Sequence, residues 1–477
     1  MGKRVGIKLV VVLAALIGAY SYAQRLADRL CASRDEQTVK TQVLACGVII
    51  AMGGTRATPL RTAYNNRGAS YSYFDDAKAL ADYEMAIKLG GTSEVTLTNR
   101  ADVLYSLEKY DDAIKGYTAA IKLKNNYAIA YRGRGNAYDG KGEYDRALAD
   151  YDEAIRLNPS DPQAFSDRGY TRARKEMYDE AIQDYDAALR LDKSYSTAYA
   201  NRGDAYASLN KYAPAIGNYS RALELRPGWA FVLVQRGYAY QNTGQSDLAF
   251  LDFDNALKRE PKNAQAVNGR GNAYSDQRDY DRAIADFTKA IAIDSEYGAA
   301  YFDRAVAYAN QEQFRRAIAD YNEAIRLMPK FARGWLERGY AYRRLAEFDR
   351  AVADYNAGIK LDPDEPNGYI KRCWVKALAN EDLQGAMADC NKALDLSSDD
   401  GDAGECRALV YFRQGNYAAA LKDADQALKT YKDAAAALLI RGLAKRRLGD
   451  ATAEADIVAA RAADEALVKE LASYGVK

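Results

Sequence analysis

From residue 61 onwards the chain repeats itself every 34 residues, so its core must form between copies of one short unit rather than around a single centre. Twelve units fit: 61–93, 94–127, 128–161, 162–195, 196–229, 230–263, 264–297, 298–331, 332–365, 366–400, 401–434 and 435–468. The first is one residue short and the tenth one long. Each holds two apolar patterns at helical spacing, separated by a short break, and the second pattern ends near Pro or Asp. In the third unit, AIAYRGRGNAYDGKGEYDRALADYDEAIRLNPSD, Tyr131, Gly135 and Tyr138 share one face of a first helix, A. Tyr144, Ala147, Tyr151 and Ala154 share the facing side of a second helix, B. Gly135 and Ala147 are small so that the two axes can approach closely, and the tyrosines fill the wider gaps beside them. Pro159 then stops helix B.

Composition supports a repeated structural unit over a unique reactive centre. The 477 residues contain no histidine, which excludes Ser-His-Asp and Cys-His nucleophiles, His-ligated zinc and histidine phosphorelay. A formal charge of +1 offers no global attraction to nucleic acid or an anionic membrane. Of 38 tyrosines, 26 stand at positions 4, 11, 17 and 24 of the unit, so the excess is a packing residue multiplied by the repeat count.

This order of aromatic, Gly, Tyr, Gly, Tyr, Ala, Tyr, Ala and Pro resembles the tetratricopeptide repeat. Position 8 is glycine in Gly68, Gly135, Gly169, Gly203, Gly237, Gly271, Gly339 and Gly442, and position 27 is alanine in most units, with Gly358 in the ninth. The resemblance implies an all-α fold: a right-handed α-α superhelix of about twelve helix-turn-helix repeats, with helix A lining a concave groove. The degenerate last repeat reads as a cap, and 469–477 as a tail.

Position 7 is arginine in all twelve repeats, from Arg67 to Arg441, and position 23 is aspartate in ten, among them Asp82, Asp150, Asp184, Asp252 and Asp354. Because acid recurs with base, these read as ion pairs joining helices within or between repeats rather than as an anion-binding stripe. Gly135 to Gly142, GNAYDGKG, comes near a phosphate-binding loop, but Gly142 replaces the required hydroxyl and the stretch lies within helix A. Carboxylate pairs such as Asp150 and Asp152 recur throughout and read as solvated helix faces.

The first residues carry an address. Lys3, Arg4 and Lys8 precede an apolar run from Leu9 to Gly18, followed by small residues at Ser21 and Ala23. This is the secretory signal pattern, with cleavage expected after Ala23; an uncleaved inner-membrane anchor over 1–23 is the alternative. Either places the repeats outside the cytoplasm, in the periplasm or cell envelope. Residues 24–60 read as an N-terminal helical cap, and the apolar patch Val43–Gly53 as a packed amphipathic helix.

Five cysteines lack C-x-x-C spacing, and in an exported chain disulfides are the better reading. Cys373 at position 8 and Cys390 at position 24 of one repeat are expected to meet across the helix pair, the alternative being two small core residues. Cys31 and Cys46 are a second candidate bridge that would staple the cap to the first repeat, leaving Cys406 over. The segments 31–68, 373–391 and 441–476 also look like bacterial exported repeat proteins of this type.

In the family, positions 2, 5, 9, 12 and 13 of helix A form the groove. Here the resemblance transfers that role to Tyr105, Arg132, Asn136, Tyr170, Arg174, Phe231, Tyr238, Phe302, Arg333, Leu336, Tyr340, Arg343 and Arg344. Aromatics and arginines suit a protein or peptide partner. The family's carboxylate clamp for peptide termini is not expected, because Asp167 stands where asparagine is needed and Ala200 and Asn201 supply no basic pair. The expected function is a non-catalytic interaction scaffold of the bacterial envelope, without cofactor, metal or nucleic acid, touching membrane only through an uncleaved N-terminus. The competing expectation is an envelope glycan-binding or enzyme-accessory module.

Overall fold

The structure, a computed structural model, describes residues 23–32, 39–54, 59–398 and 400–477; the expected signal or anchor therefore lies, but for Ala23, outside the described residues. Every regular element among them is a helix. None of the described helices is long and apolar enough to cross a membrane.

The chain divides into two compact blocks, one ending at Pro227 and the other beginning at Gly228. The N-terminal block opens with α1 (residues 23–32) and α2 (Val39–Ala51). Five helix pairs follow: α3 and α4 (Leu60–Tyr71, Asp76–Lys88), α5 and α6 (Glu94–Ser106, Tyr110–Leu123), α7 and α8 (Ala128–Gly140, Tyr144–Leu157), α9 and α10 (Pro162–Arg174, Tyr178–Leu191), and α11 and α12 (Ser196–Ser208, Tyr212–Leu225). The C-terminal block holds seven more: α13 and α14 (Ala230–Asn242, Ser246–Arg259), α15 and α16 (Ala264–Asp276, Tyr280–Ile293), α17 and α18 (Gly298–Asn310, Phe314–Leu327), α19 and α20 (Ala332–Arg344, Phe348–Leu361), α21 and α22 (Pro366–Ala379, Leu383–Leu396), α23 and α24 (Gly401–Arg413, Tyr417–Thr430), and α25 and α26 (Ala435–Leu448, Ala453–Ala463). A final helix, α27 (Glu465–Ser473), begins immediately after α26, with Asp464 ending one helix and capping the next. The boundary expected at residue 468 thus falls inside a helix. Within each block, A packs on its own B, and each B on the next A.

One contact repeats. The ring at position 24 of helix B lies over the glycine at position 8 of helix A, so closely that a Cβ on Gly135 would stand 2.7 Å from Tyr151 and one on Gly203 2.6 Å from Tyr219. Tyr83, Tyr151, Tyr185, Tyr219, Phe253, Phe287 and Tyr355 are the buried rings of this series; in the second and eighth repeats, where position 8 is Ala101 and Ala305, Tyr117 and Tyr321 are buried as well. In the tenth repeat Cys373 and Cys390 occupy the same two positions and are joined by a disulfide.

The arginine at position 7 joins three helices. Arg338 Nε and Nη2 donate to both oxygens of Asp354 at 2.8 and 2.7 Å on its own helix B, and Nη1 donates to Asn322 on the preceding helix B at 2.7 Å. Arg134 repeats this with Asp150 and Thr118, and Arg407 with Asp423 and Asn391. The aspartates are buried, Asp184 being 3% exposed at its side chain, so removing a partner strands a desolvated charge. Asp150 accordingly sits in the ladder; only Asp152 of that pair faces solvent.

At the front, Cys31 and Cys46 are bridged, and Ala45, Cys46 and Ile49 pack with Ala63 of α3. Ser70 Oγ donates to Gln42 Oε1 at 2.8 Å and Asn66 Nδ2 to the Cys31 carbonyl at 3.1 Å, fastening the two leading helices to the first repeat.

Candidate functional site

Positions 7, 8, 23, 24 and 27 are committed to packing, whereas helix A residues pointing away from helix B are free to differ between repeats. In the N-terminal block, two groove candidates present open rings: Tyr105, 38% exposed, lies 5.8 Å from Tyr110, and Tyr170 is 49% exposed. The other three are held in the wall. Arg132 is engaged by Gln163 and, at 3.5 Å, by Asp161; Asn136 Oδ1 accepts from Tyr151 Oη at 2.8 Å; Arg174 Nη1 donates to Asp139 Oδ2 at 2.6 Å.

Around these rings stand carboxylates that the sequence reading did not assign to the groove. Tyr117 Oη donates to Asp102 Oδ1 at 2.6 Å and Tyr219 Oη to Asp204 Oδ1 at 2.7 Å. Protein crowding on most sides pushes the Asp167 carboxyl up to about 6, with Arg132 pulling the other way, and pushes Asp204 up to about 6 against its bond from Tyr219. Asp102 is raised by the same cause, opposed by Tyr117 and Arg132, although it faces solvent. Partial exposure combined with strong desolvation describes the floor of a concave surface. The signal was available: Asp102 and Asp204 hold position 9, where Asn136 and Tyr170 were already assigned to the groove.

In the C-terminal block, Phe231 is exposed beside Trp229, and Arg333 reaches over the Phe302 ring at 5.4 Å. Tyr340 gathers three cations, with Arg343 at 5.1 Å and Lys371 at 5.5 Å from its ring and Arg344 Nη1 donating to its hydroxyl at 3.0 Å. Tyr238 is half-buried: its hydroxyl donates to the Gln265 carbonyl at 3.0 Å and its ring meets Phe253 edge-on at 5.2 Å, so it ties neighbouring repeats together.

Phe302 and Leu336 are corrections. Both hold position 5 and were expected on the groove surface, but they are 6% and 7% exposed. Phe302 packs against Tyr321 at 5.8 Å on its own helix B and against Phe331 at 5.0 Å at the end of its own repeat. Leu336 fills the space that Gly358 leaves at position 27, where a Cβ would stand 2.5 Å from Leu336 Cδ2. Position 5 is buried in most repeats, as Ser166, Ala200, Val234 and Asn268 also show.

The sulfurs of Cys373, Cys390 and Cys406 lie within 4.8 Å of one another. With the first two joined, Cys406 alone offers a thiol, and burial raises it well above its ordinary value, so this cluster provides neither a thiolate set for a metal nor an activated nucleophile.

Sequence models described as tetratricopeptide repeat match residues 98–162, 196–228, 232–263, 264–297, 302–366 and 407–466, and one described as TPR repeat matches 169–210; together they cover more than half of the chain. No curated protein sequence matches it. Among solved structures, the APC/C hetero-tetramer Cut9-Hcn1 aligns over 92% of this chain and 93% of its own at 16% identity and a TM-score of 0.53, a likeness of fold. YrrB, described as a TPR protein with an unusual peptide-binding site, aligns over 39% of this chain and 96% of its own, at 28% identity and a TM-score of 0.35. A tetratricopeptide repeat protein from Parabacteroides merdae ATCC 43184 aligns over 52% and 98%, at 19% identity and a TM-score of 0.41.

Proposed function

Because the chain belongs to the tetratricopeptide-repeat family, whose members are generally non-catalytic interaction scaffolds, we propose that it holds a partner protein or peptide on its helix A faces in the bacterial cell envelope. The observation that carries this reading is the face of the N-terminal block, where the open rings of Tyr105 and Tyr170 stand among Asp102, Asp167 and Asp204. Aromatic surface supplies contact area at low entropic cost, and desolvated carboxylates gain most from a cation brought to them. The partner segment for this block accordingly carries lysine or arginine beside apolar side chains.

Export is supported by the basic flank and apolar run before Ala23 and by two disulfides, which persist in oxidising compartments. An alkaline-phosphatase fusion after Leu60 is expected to be active; an inactive fusion that accumulates would contradict the envelope assignment. For the scaffold itself, a pull-down from envelope extract with intact protein is expected to lose partner recovery at least about tenfold when Tyr105 and Tyr170 are both changed to Ala. Unchanged recovery, or retention on purified peptidoglycan that depends on the same two tyrosines, would overturn protein binding in favour of nothing or of glycan respectively.

A further inference from the structure

The last helix lies back against helix A residues of the ninth to twelfth repeats. Arg343, at position 12 of α19, donates through Nη1 to Glu470 Oε1 at 3.0 Å, a contact between residues 127 apart in sequence. Arg413, at the end of α23, donates to the carbonyls of Ala377 at 3.0 Å, Leu378 at 3.1 Å and Tyr474 at 2.6 Å. The Tyr474 ring meets Phe348 at 5.3 Å, and Leu471 and Val476 are buried in one cluster with Leu409 and Leu443. The segment is shaped for this seat. Asp464 accepts from the Leu467 amide at 2.9 Å to start the helix. At its end, left-handed Gly475 lets Val476 N–H reach the Leu471 carbonyl at 3.0 Å, which turns an apolar side chain inward.

The seat is not filled. Beside Leu467 remains a recess of about 310 Å³ whose lining includes Tyr340, Arg343, Lys371, Trp374 and Glu405. Tyr355, fully buried in its wall, has a hydroxyl with no hydrogen-bond partner. A buried hydroxyl left unpaired is a penalty that a better-fitting occupant removes.

We propose that residues 464–477 are a built-in ligand of this face, and that its true partner is an amphipathic helix of the same kind. That helix carries apolar side chains in the places of Leu467 and Leu471, a carboxylate on Arg343, and a polar side chain reaching Tyr355. The partner displaces the tail, so the face is closed until a stronger ligand arrives. This rests on the scaffold reading but names the ligand class, and the two are tested apart: the pull-down probes the N-terminal block, whereas a peptide titration probes this face.

The probe is a fluorescein-labelled peptide of sequence DEALVKELASYGVK, titrated by anisotropy against the full chain. Wild type is expected to bind it at least about tenfold more weakly than Leu471→Asp or Glu470→Arg chains, whose own tails are loosened. In the Leu471→Asp chain, whose tail keeps Glu470, adding Arg343→Glu is expected to abolish binding of this peptide, and a peptide with lysine in place of Glu470 is expected to restore it. Equal affinity of wild type and both loosened chains would overturn the proposal. So would absence of binding by either chain with helicity and melting unchanged. If Leu471→Asp unfolds the last repeat, Glu470→Arg, which spares the apolar contacts, decides alone.

Discussion

The two blocks repeat one packing scheme and differ in what their helix A faces carry. In the N-terminal block the face carries Asp102, Asp139, Asp167 and Asp204 around open tyrosine rings; in the C-terminal block it carries Tyr340, Arg343, Arg344 and Lys371 and is partly covered by the chain's own last helix. Beneath both, the same arginine reaches the same aspartate, and the same ring covers the same glycine. The packing positions are therefore fixed by geometry common to all repeats, and specificity is left to the few helix A positions that geometry does not use.

The largest effects should fall on what the blocks share. Asp184→Ala in one and Asp354→Ala in the other each strand a half-buried arginine and are expected to cost about 3–5 kcal/mol in urea unfolding, whereas Glu153→Ala, which breaks the exposed pair with Arg156, should leave the urea midpoint nearly unchanged. Losses confined to one block would break the view of the ladder as a common device.

Next comes the tenth repeat, where a disulfide replaces the ring-over-glycine contact. Opening the Cys373–Cys390 bridge by Cys→Ala at both positions is expected to cost about 3 kcal/mol. Changing Cys373→Gly together with Cys390→Tyr should recover most of that, while Cys390→Tyr alone should not. Gly358→Ala, although alanine is usual at position 27, should cost about 1–3 kcal/mol by overpacking Leu336, and Leu336→Ala in the same chain should relieve the strain.

How far these features were legible follows from the same division. The repeat phase revealed helix pairs and the arginine with its aspartate, because both are set by spacing along two helices, but it set Gly135 against Ala147 with the tyrosines to either side, whereas the Tyr151 ring lies over Gly135. It did not reveal that position 5 turns inward: Phe302 and Leu336 look like surface anchors, but Phe302 packs on Tyr321 and Phe331 of its own repeat and Leu336 fills the gap that Gly358 leaves in its own, contacts set by side-chain size rather than by spacing. Asp102 and Asp204 were passed over, and Asp167 was weighed only against the carboxylate clamp, because charged helix residues are ordinarily solvated, whereas here the surrounding protein desolvates them. The return of Glu470 to Arg343 depends on stacking accumulated across four repeats, which no local pattern encodes.

The smallest expected effect concerns pH. Asp167 and Asp204 have folded values of about 6, above the ordinary 3.8, so the folded state holds these protons more tightly than the unfolded chain. Their stabilisation is complete below about pH 4 and is lost as pH rises through about 6. Thermal melting of Asp167→Asn/Asp204→Asn protein should therefore lose less stability than wild type between pH 4 and 7, by a few degrees at most. Conversely, a lysine-rich ligand of this face should bind more tightly to wild type as pH rises through the same window.

If helix A faces hold the partner, site-specific photo-cross-linking in the intact chain captures it there. A benzophenone side chain replacing Tyr170 on helix A is compared with one replacing Lys115, which is exposed on helix B. The account predicts a discrete cross-linked partner from Tyr170 and none from Lys115. Equal cross-linking from both, or a discrete product from Lys115 alone, would contradict it.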